Sequence, residues 1–275
     1  MGFTILSNIT SMKAQNDLSH TNRDRSRTLN KVSSGLRITR TADDVAGASV
    51  ACTLETVARS NRQAMRNAND GTSILQTAES TAQSVTDMVQ RSRELFVQSA
   101  SETLDDDERA YIADEYTQIL GEIDRAAAHM EFNGAPLNDA VFVVQIGAQN
   151  DPDHQISITI DSMLAADLGM PPASFLLDSS LAQATLQDVD GIDAALDDIL
   201  SVRSTLGAAI NRMAISYSHN EAYTLALEGA RSRIEDADFS LETSQMTKLQ
   251  IMQQAGMASL TQAKNLNQAA LALLN

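Results

Sequence analysis

Proline decides where helices can run in this chain. All four prolines, Pro136, Pro152, Pro171 and Pro172, fall between residues 136 and 172, so the first 135 residues and the last 103 contain none. Proline removes a backbone donor and clashes with the preceding turn, which breaks a helix interior. Two long helix-permissive arms therefore flank a short irregular centre.

Both arms carry helical periodicity. Leu75, Ala78, Ala82, Val85, Val89, Ser92, Phe96 and Ser99 recur at spacings of three and four. So do Val189, Ile192, Leu196, Ile199, Arg203, Leu206, Ile210, Met213 and Tyr217, with Leu227 and Ile234 in the same register. Such stripes give one apolar helix face that needs a partner helix. The polar members Ser92, Ser99 and Arg203 cost stability but can fix register. Between the stripes, Asp105 followed by Glu108 resembles a capping box and predicts a third helix over roughly 105–130. Acids in a first turn suit the helix dipole, so the run Asp105–Asp107 needs no metal to explain it.

The centre reads differently. VFVVQIG (141–147) and HQISITI (154–160) are β-rich, and Ile156, Ile158 and Ile160 alternate with Ser157 and Thr159. That pattern predicts a β-hairpin at about 138–162 with one buried face. The expected fold is mainly α: a long antiparallel helical, coiled-coil-like rod formed by both termini, with a small β-hairpin region in the centre.

Charge is segregated as well. Residues 1–70 hold 10 Lys+Arg against 6 Asp+Glu, net +4, whereas residues 101–200 hold 2 against 21, net −19. An overall charge of −16 disfavours nucleic acid, which needs a basic surface to neutralise phosphates. The acidic stretch is expected to form a solvated outer surface. No apolar run approaches the length of a membrane span. The start MGFTILSNITSMK lacks the layout of a secretory signal, and the lone Cys52 excludes an intramolecular disulfide framework. The four histidines show no metal-ligand spacing, and neither a P-loop nor G-x-G-x-x-G is present. We accordingly expect no enzyme, no cofactor, no metal and no small-molecule substrate.

The two ends share an unusual composition. KLQIMQQAGMASLTQAKNLNQAALALLN (248–275) contains only two charged side chains, Lys248 and Lys264. Leu249, Ile251, Met252, Met257, Leu260, Ala263, Leu266, Ala270 and Leu273 supply its apolar face. Phe3, Ile5, Leu6, Ile9, Met12 and Leu18 do the same at the other end, again with Ser, Asn, Thr and Gln between. A solvated helix gains from surface charge pairs. Uncharged polar faces instead suit packing against identical copies, where like charges would repel in register.

Several collinear stretches carry a family resemblance: VSSGLRITRTADDVAGASV (32–50), RNANDGTSILQTAES (66–80), QRSRELFVQSAS (90–101), GEIDRAAAHMEFNGAPL (121–137), RSTLGAAINRM (203–213), RSRIEDADFSLE (231–242) and the tail itself. In this order the chain is similar to bacterial flagellin over nearly its whole length. Only about 138–187 remains for the variable insertion of larger flagellins, so their outer domains are expected to be absent.

The resemblance implies a structural subunit of the flagellar filament, assembling helically into a hollow tube for motility, secreted through type III export and located outside the cell. It implies a terminal-helix, channel-lining domain of residues 1–42 and 240–275, and a rod-like domain of 43–239. Assembly then rests on Ile5, Leu6, Ile9, Leu249, Met252, Leu260, Leu266 and Leu273. A spoke then joins the domains through Gly35, Arg37, Arg40, Asp43, Asp44 and Gly47, with Asp43 or Asp44 capping the next helix and the arginines pairing with them or with a neighbouring subunit. The implied partners are further copies, flagellar cap and hook-associated proteins, an export chaperone and a vertebrate Toll-like receptor. The receptor contacts would be Arg91, Leu95 and Glu115, with Leu95 filling an apolar pocket and bulky Phe96 either weakening the fit or repacking inside the rod. A hook–filament junction protein with flagellin-like ends is the alternative.

Overall fold

The structure is a computed structural model that describes residues 8–187 and 191–272. It is mainly α with a small β region, as the proline and periodicity patterns predict. The elements run α1 (Ile9–Ser34), α2 (Val45–Ser99), α3 (Asp106–Ala128), β1 (Glu131–Phe132), β2 (Ala135–Pro136), β3 (Ala140–Gln145), β4 (Gln155–Ile160), a 3₁₀ turn (Ala173–Leu177), α4 (Ser179–Gln187), α5 (Ile192–Glu235) and α6 (Phe239–Ala272). They form two compact units, one of residues 1–56 with 226–275 and one of residues 57–225.

The larger unit is built on the predicted stripe of α2. Leu75, Ala78, Ala82, Val85, Val89 and Phe96 are all fully buried. The first five share a core with Ile123 and Ala127 of α3 and with Ile192, Ile199, Leu206 and Met213 of α5, while Phe96 belongs to a second cluster with Ile112, Tyr116 and Leu176. Each fully buried Leu, Ile, Val, Met or Phe among them contributes about 1.5–3 kcal/mol. The β3–β4 hairpin lays Ile156, Ile158 and Ile160 into the same core, while Val141 and Val143 face outward. Val189, expected in the α5 stripe, lies outside the described residues.

The polar members of the stripes are satisfied locally, which is why they are tolerated. Ser92 donates to the Met88 carbonyl at 2.9 Å, and Ser99 donates to Leu176. Arg203 pairs with Glu79 of α2, with its Nε 3.0 Å and its Nη2 2.9 Å from the same carboxylate oxygen. This half-buried cross-helix pair fixes the register of α5 on α2, since a slip would leave a charge unpaired.

The expected capping box is present: Asp105 accepts from Glu108 N, and Glu108 accepts from Asp105 N. The loop before it is held by Arg109, a buried guanidinium that donates to the carbonyls of Ser99, Ser101 and Leu104. Those are carbonyls that the end of a 55-residue helix and its connecting loop would otherwise leave unpaired. Tyr116 completes this end: its hydroxyl donates to Pro171 O at 2.7 Å, and burial pushes its phenol pKa above the ordinary value.

Candidate assembly surfaces

In the smaller unit α1 and α6 run antiparallel as one pair. Asn8 caps α1 by accepting from Ser11 N at 2.9 Å, and donates to the Ala263 carbonyl at 2.9 Å. Arg25 donates to Gln253, and Lys31 reaches Glu242 at 3.5 Å. The partly or fully buried positions include Ser11, Ala14, Leu18, Thr21, Arg25, Thr28 and Val32 on α1. On α6 they include Glu242, Met246, Leu249, Gln253, Gly256, Leu260 and Ala263. Both sets alternate steps of three and four, which is the seam of a coiled coil.

That seam is narrow and half polar. Leu249 is buried in it, and Leu260 half-buried. Met252 and Ile9 are not: they are 46% and 67% exposed. Met12, Leu29, Phe239, Leu241, Ile251 and Met257 stand in solvent with them. The expected pairing of the ends is therefore present, but most of their large apolar side chains lie outside it. Ile5, Leu6 and Leu273 lie outside the described residues, as does the side chain of Leu266.

The spoke residues converge in the same unit. Gly35 ends α1 at φ +72°, its N–H donating to Lys31 O at 2.8 Å. The strand-like stretch after it lies against the α5–α6 turn: Arg37 N donates to Glu235 O at 2.6 Å and Ala237 N to Gly35 O at 2.9 Å. The Arg37 guanidinium donates to Ile234 O at 2.6 Å and sits 3.6 Å from Asp44. Asp44 caps α2 by accepting from Gly47 N at 2.8 Å. Asp43 closes the turn, accepting from the Thr39 hydroxyl at 3.1 Å and Arg40 N at 3.0 Å. Desolvation is the largest single influence and pushes its pKa up, but the hydrogen bonds from Thr39 and Arg40, with the Lys31 charge, together outweigh it and hold the carboxyl below the ordinary aspartate value. Arg40 takes part through its backbone, and its side chain is exposed.

The two spoke glycines are needed for different reasons. A side chain at Gly35 would meet nothing within 4 Å, so Gly35→Ala costs only the left-handed backbone, about 1 kcal/mol. A Cβ at Gly47 would lie 2.5 Å from Asp44 Oδ2 and 2.8 Å from Ile38 Cδ1. Gly47→Ala therefore displaces the capping carboxylate and is expected to cost about 1–2 kcal/mol. Urea titrations followed by circular dichroism separate the two, and a neutral Gly47→Ala refutes the close-approach account.

The three expected receptor contacts separate. Arg91 Nη2 is 2.7 Å from Glu115 Oε1, and its Nη1 is 2.8 Å from Glu94, all on an exposed surface. Leu95 is 1% exposed, packed with Phe96, Ile112, Tyr116 and Leu176. The expectation of Leu95 as an anchor for a receptor pocket is corrected: the helix turn that places it below Arg91 also turns it toward α3 and the 3₁₀ segment, which cover it. Phe96 likewise points inward, its ring edge-on to Tyr116 at 5.2 Å. Sequence reasoning missed Arg109 and Asp238, which caps α6 by accepting from Ser240 N at 2.9 Å and Leu241 N at 3.1 Å. The signal for Asp238 was an aspartate just before an apolar run.

Comparison with known proteins places these features. Residues 5–142 match the bacterial flagellin N-terminal helical region, and residues 189–274 the bacterial flagellin C-terminal helical region. The chain is 35% identical to a flagellar filament 33 kDa core protein of Treponema phagedenis, over 97% of this chain and 98% of that one. It is 34% identical to a flagellin of Halalkalibacterium halodurans over the same shares. Among solved structures, a flagellar hook-associated protein of Vibrio parahaemolyticus aligns over 70% of this chain and 100% of that one, with TM-score 0.58 and 14% identity, a likeness of fold alone. With both terminal regions matched and full-length relatives at this identity, the chain belongs to the bacterial flagellin family.

Proposed function

We propose that this flagellin, a structural subunit of the flagellar filament, polymerises helically into a hollow tube through the exposed apolar side chains of its α1–α6 pair. The observation that carries the reading is the mismatch within that pair. Its internal seam is half polar, while Ile9, Met12, Ile251, Met252 and Met257 are left in solvent. An apolar patch of this kind marks a surface that another chain covers. Residues 1–42 and 240–275 form the inner domain, whose uncharged Gln, Asn, Ser and Thr face a channel, and residues 43–239 form the rod outside it.

The polymer is extracellular, reached by export of unfolded chains, a route that suits a sequence with one cysteine and no disulfide framework. A chaperone that covers the apolar ends before export, and cap and hook-associated proteins at the two filament ends, are the further partners. Arg91 and Glu115 remain the exposed groups available to a Toll-like receptor. Electron microscopy of purified protein after seeding at moderate salt tests the reading. Long tubular filaments are expected, and protein that stays monomeric or forms amorphous aggregate refutes it.

A further inference from the structure

Methionine is distributed unevenly between the two units. In the larger one Met130, Met163 and Met213 are buried, and Met65, Met88 and Met170 are half-buried. In the smaller one Met246 is half-buried in the α1–α6 seam, whereas Met12, Met252 and Met257 are 66%, 46% and 53% exposed. No other methionine among the described residues is exposed. Leucine fills nearly the same apolar volume. What methionine adds at these three positions is a thioether sulfur open to solvent.

A peroxide must reach a sulfur to oxidise it, so access separates these three from the buried methionines. Helix α6 carries no Cys, His, Tyr or Trp, which leaves its methionines as the readily oxidised groups. The step is an oxygen transfer. The sulfur lone pair attacks one peroxide oxygen, and the O–O bond breaks as the S–O bond forms. The hydrogen on the transferred oxygen passes to the departing hydroxide, which leaves as water. Sulfur loses two electrons and the peroxide gains them. The product, methionine sulfoxide, is polar and chiral where the thioether was apolar. Pressed against a neighbouring copy, each sulfoxide loses its water without a partner built to replace it, which opposes association.

We propose that Met12, Met252 and Met257 are oxidation sites for a peroxide, and that their sulfoxides bar the free chain from polymerising while the larger unit stays folded. The inference rests on the filament reading, because it acts on the surface which that reading assigns to assembly. Methionine sulfoxide reductases restore the thioether, so the block is reversible.

The test uses the full chain with Cys52→Ser, which removes the exposed thiol. Free chain is partly oxidised with dilute hydrogen peroxide, seeded at limiting concentration and sedimented. Peptide mass spectrometry then counts sulfoxide at each methionine in pellet and supernatant. Sulfoxide at Met12, Met252 and Met257 is expected to form first and to be enriched about fivefold or more in the supernatant, while that at Met65, Met88 and Met170 divides evenly. Reductases acting on both sulfoxide epimers should return the supernatant chain to polymerisation. Even division of the three sulfoxides overturns the proposal and leaves the filament reading standing. A chain that fails to polymerise even untreated overturns the filament reading and this inference with it. Replacing Met12, Met252 and Met257 together by Leu gives a second reading, with each chain compared with itself before and after oxidation. The critical concentration should rise about tenfold or more in the parent and less than about twofold in the leucine chain. An equal rise in both assigns the damage to other residues and refutes the three sites.

Discussion

Removal of residues 249–275 is expected to abolish filament growth while the larger unit stays folded. The deletion takes away Leu249 and Ala263, which are buried in the pair, and Gln253, which Arg25 holds. It also removes Ile251, Met252 and Met257, which are exposed in the single chain and belong to the proposed contact surface for neighbouring copies. Helix α1, 26 residues long with a half-polar seam, then has almost no partner. Most helical stability in proteins comes from the packing of an amphipathic face, so the helical signal of α1 should fall along with that of α6. The core of α2, α3, α5 and the hairpin includes nothing from the deleted segment, and its cooperative melting should survive. Sedimentation and electron microscopy report the polymer, and circular dichroism reports the remaining fold. Normal filaments from the truncated chain would remove the terminal pair from the assembly mechanism. Loss of all cooperative melting would show instead that the two units fold as one.

Much of this architecture was legible because the residues that build it obey simple periods. The α2 stripe, the capping box at Asp105 and the alternation of Ile156, Ile158 and Ile160 each repeat at the spacing of one element, and each appears where the period puts it. The misses follow from the same logic. The β1–β2 hairpin is two residues per strand, too short for any period, although Asn133 and Gly134, both at positive φ, are the turn pair that a tight hairpin uses. Helix α4, which follows a Pro-Pro pair, is nine residues long and gives barely two turns of pattern. At the sites, the turn chemistry of Gly35, Asp43, Asp44 and Gly47 is local, so the glycines and aspartates of the expected spoke displayed it. The clasp of this segment joins backbone to backbone at Glu235 and Ala237 and the Arg37 guanidinium to the Ile234 carbonyl, and no side-chain pattern reveals such main-chain partners. The ends show a further limit. An apolar stripe tells that a helix seeks partners, but not which face goes to its own chain. Here the intrachain seam takes Leu249, Leu260 and several polar residues, and leaves Met252 and Ile9 outside.

Leu95→Ala and Phe96→Ala are expected to act on folding rather than on any docking surface. Position 95 is one helical turn from Arg91, and shared spacing alone would put both on one exposed face. The structure separates them by what lies over each. Arg91 is met by the Glu115 and Glu94 carboxylates in solvent, while Leu95 is covered by Ile112, Tyr116 and Leu176. Truncating a fully buried leucine loses its transfer free energy and leaves a cavity, together about 2–5 kcal/mol. For Phe96 the loss is about 3–5 kcal/mol, and its edge-on contact with Tyr116, at 87° between ring planes, adds to the penalty. Tyr116 would feel both changes, since its hydroxyl bond to Pro171 ties this cluster to the segment between the hairpin and α4. Arg91→Ala, by contrast, removes only exposed ion pairs and should move stability by less than about 1 kcal/mol. Urea melts followed at far-ultraviolet wavelengths rank the three variants, because the chain has no Trp to report fluorescence. If Leu95→Ala melts with the unaltered chain yet loses binding to a Toll-like receptor ectodomain, Leu95 belongs to a surface after all. If it is destabilised as expected, receptor binding should be probed at Arg91 and Glu115, whose charge reversal leaves the core beneath them intact.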